Sequence, residues 1–330
     1  MKRLTLALIA VLAFGSLAAR AAEQLPDGYK AIEYIESTKG GGQFIDTGYT
    51  ANGQTKVVFD AVIPARWEQN DRFGVLFGSR TMTDWWVKAF ALQMCDGNTA
   101  VDTVRFAYNG WYRQDGGKPF SFGERVTVTC DGQHVEWTGS KAASVEFSAG
   151  ALEHSKSTLY IFADNTVEGA DGTKNPVGTN PSVMRLYSFK IYEGETLKRN
   201  FVPCVRIADA VAGLYDMVGS KFYDNSGSGN FATSASNLPF GRELASGTYE
   251  ITESFAFVAP AKESALKVAD GATVELNVAA GVTVAFRGGD AFEVWGAGAG
   301  IEVPANAKLY VIGEGTLKAF GGKGANGCNG

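Results

Sequence analysis

After about residue 31 the apolar and polar positions of this chain alternate with a period of two almost throughout. Lys56-Val57-Val58-Phe59-Asp60-Ala61-Val62 mixes β-branched and aromatic residues between Gly, Asn and Pro, which predicts a strand with one buried face. Residues 125–137 predict a hairpin. Val126, Val128 and Cys130 share one face of its first strand, and Asp131-Gly132 offers the positive φ of a tight primed turn. Further strands are predicted at 157–163 and 183–192. The mature chain nowhere shows the longer period of an amphipathic helix. Many short strands between Gly-rich turns predict an all-β chain built on a β-sandwich.

The pattern changes near residues 234–246. Before them the chain is rich in Trp and Tyr; after them Ala, Val and Gly take over, with Tyr249, Trp295 and Tyr310 the only large polar-tipped aromatics. Val268-Ala269-Asp270-Gly271-Ala272-Thr273-Val274 resembles Val303-Pro304-Ala305-Asn306-Ala307-Lys308-Leu309, an offset of 35 residues with Gly271 and Asn306 in the same turn place. Repeats of this kind suggest the start of a β-solenoid, whose turns bury their apolar faces by stacking; a small β domain is the alternative. The expected organisation is a leader over 1–21, a sandwich over 22–235, a linker over 236–246 and the repeat segment over 247–330. The tail from Phe320 to Gly330 is rich in glycine, unlike a polar cap, and reads as part of a fragment of a longer protein.

The first residues supply an address. Met1-Lys2-Arg3 places positive charge ahead of an apolar run to about Leu17, and Ala19-Arg20-Ala21 fits the small-residue cleavage form. The run is too short to span a bilayer, which needs roughly 20 residues. A secretory signal peptide cleaved after Ala21 is therefore expected, with a secreted or cell-surface product and no membrane span. Loss of Lys2, Arg3 and Arg20 takes the formal charge from -5 to -8. An acidic chain with no basic run lacks the electrostatic footprint of a nucleic-acid binder. Cys95, Cys130, Cys204 and Cys328 are too widely spaced for a zinc motif. An oxidising compartment permits disulfides, and buried free thiols stay equally open.

Two groups of segments carry a family resemblance. At the start stand Leu25-Pro26-Asp27-Gly28-Tyr29, Ile32-Glu33-Tyr34-Ile35-Glu36-Ser37-Thr38 and Gln43-Phe44-Ile45-Asp46-Thr47-Gly48-Tyr49. Towards the end stand Arg185-Leu186-Tyr187-Ser188-Phe189-Lys190-Ile191-Tyr192, Asn200-Phe201-Val202-Pro203-Cys204, Gly213-Leu214-Tyr215-Asp216-Met217 and residues 222–229. Residues 25 to about 233 resemble a laminin-G-like, concanavalin A-like jelly-roll module of large secreted bacterial and phage-associated proteins. The repeat segment more loosely resembles adhesin-like, Gly-rich β-solenoids. The resemblance implies that the first and last strands of the module pair at the centre of the sandwich, with residues 34–38 beside residues 186–192.

Some jelly-roll relatives hydrolyse glycosides with carboxylates at alternate strand positions, which sets them about 5–5.5 Å apart for retaining chemistry. Glu33 and Glu36 fall on opposite faces, as do Glu250 and Glu253, and Glu193 and Glu195 flank a turn at Gly194. His134 and His154 read as ordinary surface residues, and neither G-x-S-x-G nor a phosphate loop occurs. No catalytic residue is assigned. Calcium is the metal that a loop containing Asp164, Asn165, Glu168 and Asp171 would suit, although the spacing is not that of an EF-hand. No cofactor is required. Glycan binding has the most direct support. Trp67, Trp85-Trp86 and Trp111-Tyr112 stand in loop-like stretches beside Arg66, Asp84, Asn109 and Arg113, and Trp faces stack on sugar rings while polar neighbours bond hydroxyls. Trp85, Trp86, Trp111, Tyr112 and Arg113 are the ligand-binding candidates, whereas Trp137 is expected in the core. The leading expectation is a secreted, non-catalytic module for glycans or cell-surface polysaccharide. A structural or display unit of a large exoprotein is the alternative, and a glycoside hydrolase of the concanavalin-like fold a second one.

Overall fold

The computed structural model describes residues 24–65, 68–70, 74–81, 88–95, 103–109, 118–132, 134–146, 151–152, 156–168, 179–292 and 296–324. Among these residues the regular structure is β throughout, apart from 3₁₀ conformation at Glu68 and at Ala235–Asn237.

Two sheets make the first unit. Sheet I runs in space through β10 (Ala143–Glu146), β9 (His134–Trp137), β8 (Arg125–Cys130) and β4 (Thr55–Val62). It continues through β13 (Arg185–Glu193), β14 (Thr196–Arg206), β15 (Val211–Asp216) and β16 (Lys221–Tyr223), all antiparallel. Three short strands join its flank: β1 (Tyr29–Ala31) on β14, and β2 (Ile35–Glu36) between β13 and β17 (Ala232–Thr233). Leu186 stands opposite Ile35 and Arg185 opposite Glu36, so the first and last segments of the module do lie side by side. Sheet II runs β3 (Ile45–Asp46), β11 (Tyr160–Ile161), β5 (Val75–Thr81), β6 (Phe90–Cys95) and β7 (Thr103–Tyr108), with β12 (Asp164–Glu168) parallel to β5.

Alternation decides which residues meet between the sheets. In β4 every second residue is buried, and Phe59 turns its ring edge to Phe77 of β5 at 5.9 Å and stacks on Phe189 of β13 at 5.8 Å. Trp137 is buried in this core, its indole N–H bonded to the Lys141 carbonyl at 2.7 Å. Cys130 and Cys204 are buried free thiols, and burial holds Cys130 well above the usual thiol range and pushes Cys204 up to about 12.

The β8–β9 hairpin forms with a difference at its turn. Cys130 pairs with Val135, and the Asp131 N–H donates to the His134 carbonyl at 3.0 Å. Gly132 does not use a positive φ. A Cβ there would lie 2.9 Å from the Tyr108 hydroxyl, so a larger residue would have to push the end of that side chain aside.

From residue 243 the pairing becomes parallel. Each turn of a three-sided coil contributes one strand per side. The first turn is β18 (Glu243–Leu244), β19 (Gly247–Ile251) and β20 (Phe255–Val258). The second is β21 (Leu266–Val268), β22 (Thr273–Val278) and β23 (Thr283–Arg287), and the third is β24 (Ile301–Glu302), β25 (Lys308–Gly313) and β26 (Thr316–Phe320). The offset of 35 residues is the register itself: Val274 pairs with Leu309 and Leu266 with Ile301. β18 falls inside residues 236–246, where the sequence reads as linker, because Glu243 and Leu244 pair with Lys267 and Val268.

On one side of the coil, β20 and the centre of β23 are buried on both faces. Phe255, Phe257, Val284 and Phe286 point into the coil, while Ala256, Val258 and Ala285 join the sandwich core. Polar contacts close the seam. Arg287 donates to the Asp209 and Ala210 carbonyls at 2.8 and 3.1 Å, Lys318 to the Ala208 carbonyl at 2.8 Å, and Asn230 to both oxygens of the buried Asp290 at 2.9 Å.

Candidate functional site

Sheet II has two faces of different character. Phe90, Leu92 and Met94 of β6 enter the sandwich core, so Ala89, Ala91 and Gln93 must face away from it. Cross-strand register extends this into rows. Gly78, Ala91 and Ala107 form one row, Val75, Gln93 and Arg105 the next, and Arg80 and Ala89 follow on the other side. The result is a floor of small residues with polar side chains at both ends. Val75, Ala89, Ala91 and Ala107 are at most 3% exposed, so this second face is covered rather than open.

The floor is tight where β12 joins it. A Cβ at Gly78 would stand 2.7 Å from the Ala91 Cβ and 2.8 Å from Asp164 Oδ1, so a side chain there would displace the carboxylate. Asp164 is fully buried, and its Oδ2 accepts from Arg80 Nε. Burial pushes the Asp164 pKa up to about 6 against the downward pull of the Arg80 guanidinium. Its Oδ1 has no hydrogen-bond partner, and neither amide atom of the buried Gln93 has one. Orphaned buried polar atoms are few in folded proteins, and each calls for a physical explanation.

The segment 164–168 is therefore a strand, where the sequence suggests a loop of calcium ligands. Phe162, at a φ of 72°, breaks the predicted 157–163 strand and turns the chain into β12. Asp164 exchanges two 2.9 Å backbone hydrogen bonds with Thr179, and Asn165 donates to the Thr158 carbonyl at 2.8 Å. The charge of Asp164 is taken up by Arg80. Among the described residues no group of three His, Cys, Asp or Glu side chains is placed to hold a metal ion. Asp171 lies outside the described residues, as do Trp85, Trp86, Trp111, Tyr112 and Arg113, and also Trp67, Arg66, Asp84 and His154.

Connectivity nevertheless relates these residues to the same sheet. β5 and β6 are antiparallel, β6 and β7 are antiparallel, and β12 is parallel to β5. The C-terminal ends of β5, β7 and β12 therefore share one end of sheet II. Trp85-Trp86 follow the first in sequence, Trp111-Tyr112-Arg113 the second and Asp171 the third.

Two other arrangements bring polar or aromatic groups together. Pairing of β9 with β10 brings Ser144 Oγ to 2.9 Å from His134 Nε2, with Glu136 and Glu146 each at 3.7 Å from the same nitrogen. A nucleophile–base–acid triad needs the acid on the other ring nitrogen. All three partners here compete for Nε2, on a sheet edge where both carboxylates are well exposed, so this is a surface polar cluster. On the outer face of sheet I, Tyr34 and Tyr187 stand 5.4 Å apart, but Arg125 covers Tyr187 at 3.9 Å while forking onto Asp60. The ring faces there are already occupied. Glu36 is held by Arg185 at 3.0 Å, and Glu33 accepts from Ser234 and Ser236.

No family model matches the chain, and no curated protein sequence matches it. Among solved structures it is similar to domains LG4-5 of the mouse laminin alpha1 chain, at 11% identity and a TM-score of 0.23. The match spans 49% of this chain and 39% of that one. A score of that size carries no argument, and the all-β sandwich rests on the strand pairings above. No helix among the described residues is long and apolar enough to cross a membrane.

Proposed function

We propose that the chain is an exported, non-catalytic binding module for glycans or cell-surface polysaccharide, with its ligand site at the end of sheet II where β5, β7 and β12 finish. The observation that carries the reading is that the C-terminal ends of these three strands lie together, and that Trp85-Trp86, Trp111-Tyr112-Arg113 and Asp171 follow them in sequence. Aromatic faces stack on sugar rings, and polar neighbours bond the hydroxyls. Export rests on the basic, apolar and small-residue order of residues 1–21. Calcium would enter through Asp171 and its neighbours rather than through Asp164, whose charge is already met by Arg80.

The test is a glycan array with polysaccharide affinity gels, on the full chain with and without calcium. Binding that falls at least ten-fold in folded Trp85→Ala, Trp86→Ala or Trp111→Ala variants supports the site. Retained folding with no binding to any glycan sinks it.

The seam between the units favours a second reading, a structural or display unit. Ala256, Val258 and Ala285 lie in the sandwich core, which welds the sandwich to the coil as a rigid head on a stalk. Absence of any ligand together with a single unfolding transition would favour that reading.

A further inference from the structure

The end of sheet II where β5, β7 and β12 finish also holds the start of β6, and the strand register orders the residues along it. Ser79 pairs with Phe90, and the same register carried outward sets Thr81, the last residue of β5, beside Lys88. On its other side Thr81 pairs with Glu168, the last residue of β12. Phe90 pairs with Tyr108, and the Asn109 N–H donates to the Ala89 carbonyl at 3.1 Å, so Asn109 follows β7 one step from Lys88. Lys88 therefore stands in the middle of this rim. In sequence it falls just after Trp85-Trp86, and its neighbour Asn109 falls just before Trp111-Tyr112-Arg113.

Two residues of the rim are left-handed without being glycine, Lys88 at a φ of 60° and Asn109 at 56°. A Cβ in that region crowds the backbone, and glycine would sit there at less cost. Asparagine is the ordinary exception, and Asn109 uses its side chain, whose Nδ2 donates to the Ala151 carbonyl at 2.5 Å. Lysine is no such exception. Lys88 is half-buried, yet its ammonium makes no hydrogen bond or ion pair with any described residue. The other cation near this rim, Arg80, is buried and bonded to Asp164. Lys88 thus keeps a strained backbone for a side chain that no described group engages.

We propose that Lys88 contacts the ligand and that the ligand is an acidic glycan, with a uronate carboxylate or a sulfate group meeting the ammonium. The inference rests on the reading of this end of sheet II as the glycan site. A half-buried ammonium without a counter-charge is costly, and an arriving anion replaces that cost with a charge-assisted hydrogen bond. Arg113 follows β7 in sequence as a second cation. The chain as a whole is acidic, so it has no general attraction for a polyanion, and binding to one must come from a local cation.

The test is affinity electrophoresis of the full chain in gels carrying polygalacturonate, carboxyl-reduced polygalacturonate or dextran sulfate. Wild type, K88R, K88Q, K88G and Trp111→Ala are compared, with a urea melt of each. Polygalacturonate or dextran sulfate is expected to retard wild type and the carboxyl-reduced polymer to let it pass; which of the two acts names the charged group. K88Q, which keeps most of the length without the charge, and K88G are expected to weaken retention about ten-fold or more, while K88R preserves it. K88G should melt no lower than wild type, because glycine relieves the left-handed strain, so its weaker retention is not a loss of folding. Retention on the acidic gels that K88Q leaves unchanged overturns the role of Lys88. Retention by the neutral polymer, equal in wild type and K88Q but abolished by Trp111→Ala, overturns the acidic ligand and leaves the site standing. No retention in any gel and no binding on the glycan array takes down the site and this inference together.

Discussion

Phe257 and Val258 are consecutive residues of β20 that belong to different cores. Phe257 packs with Phe286 and Phe255 inside the coil, while Val258 packs with the sandwich. The Val258 N–H donates to Thr233 Oγ1 at 3.1 Å, and the Thr233 hydroxyl donates back to the Val258 carbonyl at 3.2 Å. One strand therefore serves as the outer wall of the coil and as a layer on the sandwich.

That sharing predicts the unfolding behaviour. Wild type should melt in a single transition by calorimetry. Val258→Asp buries an unpaired carboxylate in the seam and should destabilise by about 3 kcal/mol or more. It should also separate the coil from the sandwich into two transitions. Phe257→Ala, confined to the coil interior, should cost about 3–5 kcal/mol. Two transitions already present in wild type would show that the seam does not couple the units.

The period-two pattern made the sandwich legible, because strands such as β4 and β8 bury one face only. The 35-residue offset did the same for the coil, since stacked turns must repeat in register. β18 leaves no mark in the sequence: two residues are too few for a pattern, and only the partner Lys267 reveals the strand. The sequence of β12 reads as a loop because Asp164 and Asn165 are of types rare inside strands. The signal that explains it, Arg80, lies 84 residues away and is brought close by parallel pairing. The small-residue floor did leave a trace, in the large–small alternation of Phe90, Ala91, Leu92, Gln93 and Met94. That trace says which face each residue takes, not that Gln93 lacks a partner there.

The Asp164–Arg80 pair predicts a pH dependence of definite sign. Asp164 has a folded pKa of about 6 against an ordinary value of 3.8. A raised pKa stabilises the fold fully below the unfolded value and loses that contribution as pH rises through the folded one. Its share of stability should therefore fall between about pH 4 and 6, by roughly 3 kcal/mol at most. Urea titrations of wild type and Asp164→Asn across this window should show wild type losing stability relative to the variant as pH rises. A constant difference would refute the assignment.

Cys130 and Cys204 are buried and held protonated, so neither offers a thiolate. Alkylation of the native protein at neutral pH, mapped by peptide mass, should leave both unmodified, and both should react in denaturant. Native labelling of either would show that the core opens readily or that the thiol is not where the structure puts it.

Gln93 offers the sharpest separation of folding from binding. Its amide is buried without partners, so it costs stability in the unliganded protein for no hydrogen bond in return. Gln93→Met keeps nearly the same volume and removes the polar atoms, and should raise stability by about 1–3 kcal/mol. This face is covered, so the same variant should leave glycan binding unchanged. Parallel urea melts and affinity gels on this one variant read both effects. Weakened binding by the folded variant would place the ligand on this face, and lower stability would mean that the amide has a partner after all.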